Sequence, residues 1–317
     1  MSIIFLIFIL VISLAVLLKS ADIFTNASEK IGLYFGLSSF IVGATIVSIG
    51  SSLPELITSL ISVVSPEIKQ TTFPLDNVIG SNVANILLVG GLTAVSVNFL
   101  RVKDKLISID LPMFFVSTAL LLYFISDGVF TWREGIISLI LMVVFILYTI
   151  NIQDENNSTG EDKESKVKIT ITDWLQLIAG AVGIYLSAKY AVSSVLKLAA
   201  LIPGASVSLF TMLAIALGTS LPEIIVSIRA ARQGKHAVAL GNIFGSNTFN
   251  ALMVTAIPSF FSNLHVSTEV KTIGAPFLLI SSLAFIFITH DDKIPKWEGY
   301  VLLIVYLAFI GKLLHLV

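Results

Sequence analysis

GSSLPELITSL, running from Gly50 to Leu60, and GTSLPEIIVSI, running from Gly218 to Ile228, are two versions of one segment. In the next apolar stretch of each half a second motif follows, DNVIGSNVAN (Asp76–Asn85) in the first and GNIFGSNTFN (Gly241–Asn250) in the second. Two motifs that recur in one order, at nearly one separation, mark the halves of the chain as copies of a single unit. Their relative orientation depends on how often the chain crosses a membrane between them.

That crossing is expected from composition. Of 317 residues, 56% are hydrophobic and 12% charged, with a mean hydropathy of +0.96, whereas a soluble domain carries about 25% charged residues. A polytopic membrane protein fits, while a disordered chain or a nucleic-acid binder does not. A helix spans the hydrocarbon core in about 20 residues. Apolar runs between charged or Gly/Pro-rich breaks give spans near 2–18, 38–64, 73–99, 107–126, 133–152, 172–196, 205–230, 239–262, 271–289 and 297–316. The run Ile3 to Leu18 has no basic residue before it and Lys19 after it, the reverse of a secretory signal, so it reads as a span. The polar stretch Asp154 to Lys168 buries nothing and reads as a solvated linker; it lacks the Gly-centred acidic loop of a calcium-binding hand. The chain thus divides into 1–152, a linker at 153–169, and 170–317.

Five spans per half is an odd number, so the second copy enters the bilayer from the opposite face. The expected fold is an all-α membrane protein of ten transmembrane helices in two inverted five-helix repeats, an architecture of secondary transporters. Ten crossings put six Lys and Arg on the side of the termini and thirteen on the other. The positive-inside rule makes the richer side cytoplasmic. This predicts a multi-pass cell-membrane protein with both termini extracellular and the linker cytoplasmic.

Glu55 and Glu223 are the acidic residues that fall well inside long apolar stretches. A charge at that depth costs at least ~2.5 kcal/mol and needs a partner or a cavity. Ser48, Ser51, Ser52 and Glu55 follow helical spacing and share a face, and the same offsets give Ala216, Thr219, Ser220 and Glu223. Pro54 and Pro222 lack an N–H, which frees the carbonyls of Gly50 and Gly218 and loosens those of Ser51 and Thr219. Carboxylate, hydroxyl and backbone oxygens therefore converge at one depth. Ser81 with Asn85, and Ser246 with Asn250, add a hydroxyl and an amide carbonyl from each second motif. Gly80 and Gly245 are expected to admit a neighbouring helix, and Asn82 and Asn247 to hydrogen-bond between helices. There is no cysteine, and His236, His265, His290 and His315 fall at loops or ends, so no disulfide, thiolate or imidazole metal site is expected. An oxygen-only site suits a hard cation, Ca²⁺ or Na⁺. Two carboxylates balance one divalent charge.

These residues resemble the alpha repeats of the cation/calcium exchanger superfamily, and within it the prokaryotic sodium/calcium exchangers. The resemblance rests on GSSLPELITS and GTSLPEIIVS, each followed by an xNxxGSNxxN segment. It implies the ten-helix inverted fold and alternating access, with the first and sixth helices sliding past a rigid core. It also implies that Glu55 and Glu223 bridge Ca²⁺, with the Ser51 and Thr219 carbonyls adding to that site. Flanking Na⁺ sites draw on Ser48, Ser51, Ser52 and Ser81 in one half and Ala216, Thr219, Ser220 and Ser246 in the other. Asn85 lies where the family has an amide beside the centre. Many members carry Asp where this chain has Asn250, which lowers the expectation of proton or potassium coupling there. Asp76 stands in place of a Gly common at the motif start, at the membrane surface.

The expected function is Na⁺/Ca²⁺ antiport, with Ca²⁺ and Na⁺ as transported substrates, the lipid bilayer as surroundings and no cofactor. A Ca²⁺/H⁺ or K⁺-dependent antiporter on the same scaffold is the alternative, and the hydroxyl-rich flanks favour Na⁺. An intramembrane hydrolase using Ser51, Ser52 or Ser220 lacks a base, since no His or Lys lies in those spans, so no enzymatic activity is expected. A passive channel is disfavoured by a pair of Glu suited to holding an ion tightly.

Overall fold

The computed structural model describes residues 3–64, 70–102, 104–157, 169–199, 207–314 and 316. Side chains are described for all of these except 104–110, 149–157, 188, 191–192, 195–196, 198–199 and 207–219. Linker residues 158–168 lie outside the described set.

A helix lies in each apolar stretch. In chain order these are α1 (Ile3–Tyr34), α2 (Ser39–Ser51), α3 (Leu53–Val64), α4 (Phe73–Ser96), α5 (Asp104–Phe124), α6 (Trp132–Asn157), α7 (Ile171–Ala199), α8 (Val207–Arg232), α9 (His236–Phe249, extended through Val254 to Ser259), α10 (Val270–Ile288) and α11 (Lys296–Leu313). Among the described residues, α1, α4 and α10 are each long and apolar enough to cross a membrane, and α2 with α3, bent by 41° at their junction, is so as a pair. Ile4, Phe8, Val11, Ile140, Val144, Leu175, Ile178, Ile304 and Leu307 all stand exposed. Large apolar side chains displayed on several helices at once mark a surface meant for lipid.

α1 runs far beyond the Leu18 boundary read from the sequence. Asp22, Glu29 and Lys30 do not end the helix, because each finds a partner elsewhere in the fold. Arg229 pairs with Asp22, Lys235 Nζ lies 2.6 Å from Glu29 Oε2, and Lys30 Nζ lies 2.7 Å from Asp173 Oδ1. Asp22 and Glu29 are thus helical residues rather than loop residues. α1 packs antiparallel on α7: Lys30 meets Asp173, Phe24 presses on Gly180, and Ser20 on Gly183. α7 starts in a capping box, with the Thr170 N–H donating to Asp173 Oδ2 at 2.7 Å. α6 starts the same way, with the Thr131 N–H donating to Glu134 Oε2 at 2.5 Å.

α4 and α9 form the buried centre. Nearly every residue from Pro74 to Ala84 and from Val238 to Phe249 is buried, including the polar ones. Glycines explain how α9 approaches α2. A Cβ on Gly241 would lie 2.3 Å from the Phe40 carbonyl oxygen, and one on Gly245 would lie 2.3 Å from that of Ala44. Gly43 faces the Val238 carbonyl in the same way, at 2.4 Å. Such small-residue seams let helix backbones touch. The expectation for Gly245 is met. At Gly80 no described atom comes within 4 Å of a Cβ, so the expected close approach is not seen there. Asp76 occupies the motif position of Gly241, half-buried, where Ser267 Oγ donates to its Oδ1 at 2.5 Å. Ser267 Oγ also accepts from the Val270 N–H at 3.1 Å, so Asp76 holds the cap of α10.

Two short ribbons tie the connecting segments. β1 (Phe99–Arg101) pairs antiparallel with β4 (Lys293–Pro295), Leu100 opposite Ile294. β2 (Val129–Phe130) pairs with β3 (Leu264–His265), Phe130 opposite Leu264. β1 follows α4 as β3 follows α9, and β2 precedes α6 as β4 precedes α11. Each ribbon therefore joins the two kinds of connection once, with the halves exchanging roles.

Candidate functional site

The first motif lies across the bend between α2 and α3. α2 widens into a π turn at Gly43–Val47 and ends at Ser51, and Ser52 adopts φ −93°, ψ 7° before α3 starts. Pro54 suits the first turn of a helix, where its missing N–H costs nothing. The same turn carries Glu55, at the end where a helix favours negative charge. In the second half Pro222 sits inside α8, which continues unbroken. The two Pro positions thus produce a break in one repeat and a continuous helix in the other.

Every candidate residue whose side chain is described is buried: Ser48, Ser51, Ser52, Glu55, Ser81, Asn85, Ser220, Glu223, Ser246 and Asn250. The side chains of Ala216 and Thr219 lie outside the described residues. Ser52 Oγ donates to Glu223 Oε1 at 3.0 Å, which joins the first motif of one repeat to the carboxylate of the other. Ser51 Oγ donates to Asn242 Oδ1 at 3.1 Å. Asn250 Nδ2 donates to Asn82 Oδ1 at 3.1 Å, and Asn82 Nδ2 donates to the Asn247 carbonyl at 3.1 Å. Asn82 and Asn247 thus meet across the repeats, as expected of interhelical amides. Ser48 Oγ donates to the Ala44 carbonyl at 2.7 Å, a bond within its own helix.

Several buried oxygens remain. Among the described residues, Glu223 Oε2, Ser220 Oγ, Ser246 Oγ, Asn250 Oδ1 and the whole amide of Asn85 have no hydrogen-bond partner. Native interiors rarely leave buried polar atoms unmatched, and a concentration of them calls for an explanation. These sit on the repeated motifs and are mostly acceptors, the chemistry of a hard-cation site. No group of three or more His, Asp and Glu residues placed to hold a metal ion occurs among the described residues.

Two features were not read from the sequence. Wide π turns begin at Asn85 (Asn85–Val89) and at Asn250 (Asn250–Val254). The Gly90 N–H reaches the Asn85 carbonyl, and the Thr255 N–H reaches that of Asn250 at 3.3 Å. Such turns cluster at functional sites, and these two begin on matching residues of the repeats. The second feature is a pair of amides one turn before Ser81 and Ser246. Asn77 Nδ2 donates to Ser59 Oγ at 3.1 Å, and Asn242 Nδ2 to Ser227 Oγ at 2.9 Å. Both serines stand four residues after a motif Glu. The signal was present as an Asn-x₃-Ser-x₃-Asn stripe in both second motifs.

A largely apolar bundle around a buried set of oxygen-bearing side chains is the arrangement a membrane ion carrier calls for. The sodium/calcium exchanger protein family model matches residues 5–151 and 172–314, and the chain belongs to that family. It is 32% identical over 306 residues to an uncharacterized membrane protein of Methanocaldococcus jannaschii, covering 95% of this chain and 96% of that one. It is 27% identical over 349 residues to the sodium/calcium exchanger MaX1 of Methanosarcina acetivorans, covering 97% and 98%. Among solved structures, the sodium-calcium exchanger NCX_Mj soaked with zero Na⁺ and Ca²⁺ superposes with a TM-score of 0.83 at 28% identity, covering 98% of this chain and 100% of that one. The same exchanger soaked with Na⁺ and Ca²⁺ gives a TM-score of 0.82 at 28% identity, covering 98% and 99%. Na⁺/Ca²⁺ antiport across a membrane is the activity that this membership supports.

Proposed function

We propose that the chain exchanges Na⁺ for Ca²⁺ through one buried site held between inverted repeats. Glu55 and Glu223 carry the divalent charge, and Ser51 and Thr219 supply carbonyls. Ser48, Ser51, Ser52, Ser81, Ala216, Thr219, Ser220 and Ser246 flank the centre as Na⁺ ligands, with Asn85 and Asn250 beside it. The observation that carries this reading is the Ser52 Oγ to Glu223 Oε1 bond at 3.0 Å, which brings the two copies of one motif together. Ligands shared by competing ions make binding of one exclude the other, and an empty site with two uncompensated carboxylates resists burial. Only a loaded site then favours the switch between outward and inward states.

The inverted ten-crossing layout is supported by parity. Hydrogen-bonded strands must lie on one side of the membrane. Among the described residues, α6 to α9 separate β2 from β3 and α5 to α10 separate β1 from β4, an even number of crossings each time. The pairs Glu29–Lys235 and Asp76–Ser267 obey the same parity. With the Lys and Arg bias, the termini are extracellular and β1 with β4 is cytoplasmic.

The test is ⁴⁵Ca²⁺ uptake into proteoliposomes with Na⁺ and pH gradients imposed separately. An outward Na⁺ gradient is expected to drive uptake several-fold above the level without a gradient, and a pH gradient alone to leave it unchanged. Uptake driven by pH and indifferent to Na⁺ would assign a Ca²⁺/H⁺ antiporter instead.

Asn250 offers a further prediction. Its Nδ2 is committed to Asn82, and a carboxylate there accepts only. Asn250→Asp therefore loses that bond and adds a titratable group. Exchange is expected to become pH-sensitive, departing from the wild type at neutral pH and returning toward it at low pH as the new carboxyl protonates and regains a donor for Asn82, while the wild type varies less over the same range. Identical pH profiles would remove Asn250 from the site.

A further inference from the structure

We infer that Asn242 is a positioning residue that sets Na⁺ affinity by orienting the Ser51 hydroxyl, with Asn77 as its counterpart in the first repeat. This rests on the proposed role of Ser51 in the ion site. Asn77 and Asn242 occupy matching positions in the second motifs, both are buried, and neither is among the ion ligands.

The argument turns on which end of each amide faces which partner. Asn77 Nδ2 donates to Ser59 Oγ at 3.1 Å and to the Glu55 backbone carbonyl at 3.3 Å. A carbonyl only accepts, so the orientation of the Asn77 amide is fixed, with its NH₂ toward the turn that follows Glu55. In the matching place Asn242 Nδ2 donates to Ser227 Oγ at 2.9 Å, on the turn that follows Glu223. This leaves Asn242 Oδ1 facing Ser51 Oγ, 3.1 Å away. An amide oxygen cannot donate, so the hydrogen of this contact is that of Ser51.

A hydroxyl has one hydrogen and two lone pairs. While Ser51 gives its hydrogen to Asn242, its lone pairs point the other way about the Cβ–Oγ bond and are free for a cation. Two other acceptors stand nearby, the Ser48 carbonyl at 3.3 Å and the Glu223 carboxylate. Without Asn242 the hydrogen turns to one of them, which rotates the lone pairs and occupies an oxygen of the same face. Ca²⁺, held chiefly by the two carboxylates, feels this less than Na⁺, which depends on hydroxyl and carbonyl oxygens. Asn242 also links α2 of one repeat to α8 of the other through a single planar group, so it fixes the spacing of two ligand-bearing helices without touching an ion.

The experiment measures half-saturating Na⁺ and Ca²⁺ for exchange in proteoliposomes containing the wild type, Asn242→Leu, Ser51→Ala, the double variant and Ser227→Ala. Asn242→Leu is expected to raise the half-saturating Na⁺ concentration about tenfold, the scale of one hydrogen bond, and to shift that for Ca²⁺ less than about twofold. The double variant should be no weaker for Na⁺ than Ser51→Ala alone, because both changes act through one hydroxyl. Ser227→Ala, which spares the apolar packing and frees only the Nδ2 end, should give a smaller rise in the same direction and reports on the idea even where Asn242→Leu does not fold. Equal losses for both ions, additive effects in the double variant, or an unchanged Na⁺ response in both Asn242→Leu and Ser227→Ala would overturn the assignment. A wild type whose Ca²⁺ flux ignores Na⁺ would instead overturn the proposed exchange itself.

Discussion

Glu223→Gln is expected to abolish Ca²⁺ exchange while leaving the bundle folded. The replacement keeps the shape of the side chain and an oxygen that accepts the Ser52 hydroxyl, so the 3.0 Å bond between the repeats survives. Only the charge is lost. A divalent ion then faces one carboxylate in a buried site, and the loss of one charged partner in such surroundings weakens binding on the order of 100-fold or more. Glu55→Gln should match it, since Glu55 is equally buried and occupies the same motif position. The measurement is Na⁺-driven ⁴⁵Ca²⁺ uptake beside size-exclusion profiles in detergent. Near-normal uptake in either variant, with a normal profile, would discredit the pair as the Ca²⁺ ligands.

Gly245→Val should prevent the protein from assembling at all. The added atoms fall on the Ala44 backbone, 2.3 Å from its oxygen and 2.6 Å from its Cα, and 2.6 Å from Ser48 Oγ. Backbone cannot rotate away as a side chain does, so α9 must lift off α2. Overpacking alone costs about 1–3 kcal/mol, and here the gap opens beside Ser48, whose hydroxyl is bonded to Ala44. The expected result is aggregated or degraded protein in place of a single monodisperse peak. Gly90→Ala is the control: its nearest described neighbour is the ring of Phe285 at 3.2 Å, a side chain able to shift. Equal yields of the two variants would show that the α2–α9 seam is not as tight as drawn.

Much of the architecture was legible because a bilayer constrains what a sequence is able to say. Apolar length announces a crossing, and polar residues at depth announce a site, so Glu55, Glu223 and their serines stood out at once. The end of α1 did not. Asp22, Glu29 and Lys30 look like a loop until Arg229, Lys235 and Asp173 are brought beside them, and those partners are distant in sequence. Pro54 and Pro222 read alike but act differently, since neighbouring packing decides whether a freed carbonyl becomes a break. The ribbons were invisible: two or three residues carry no periodicity, and their partners lie in the other half of the chain. The π turns at Asn85 and Asn250 have no local signature either. Asn77 and Asn242 were within reach, and the shared Asn of DNVIGSN and GNIFGSN was the signal.

The paired ribbons bear on how such a molecule moves. By lacing the ends of α4, α5, α9 and α10 to the starts of α6 and α11, they tie those helices to one another at their connections. α1 and α7 have no such lacing; among the described residues they pack on each other, with Lys30 meeting Asp173, and α1 pairs with the end of α8 and the residue before α9 through Asp22–Arg229 and Glu29–Lys235. On the proposed exchange, the ion would leave by alternate doors through travel of that antiparallel pair over the laced helices, with the partly buried pairs Asp22–Arg229 and Glu29–Lys235 letting go and catching again at each stroke.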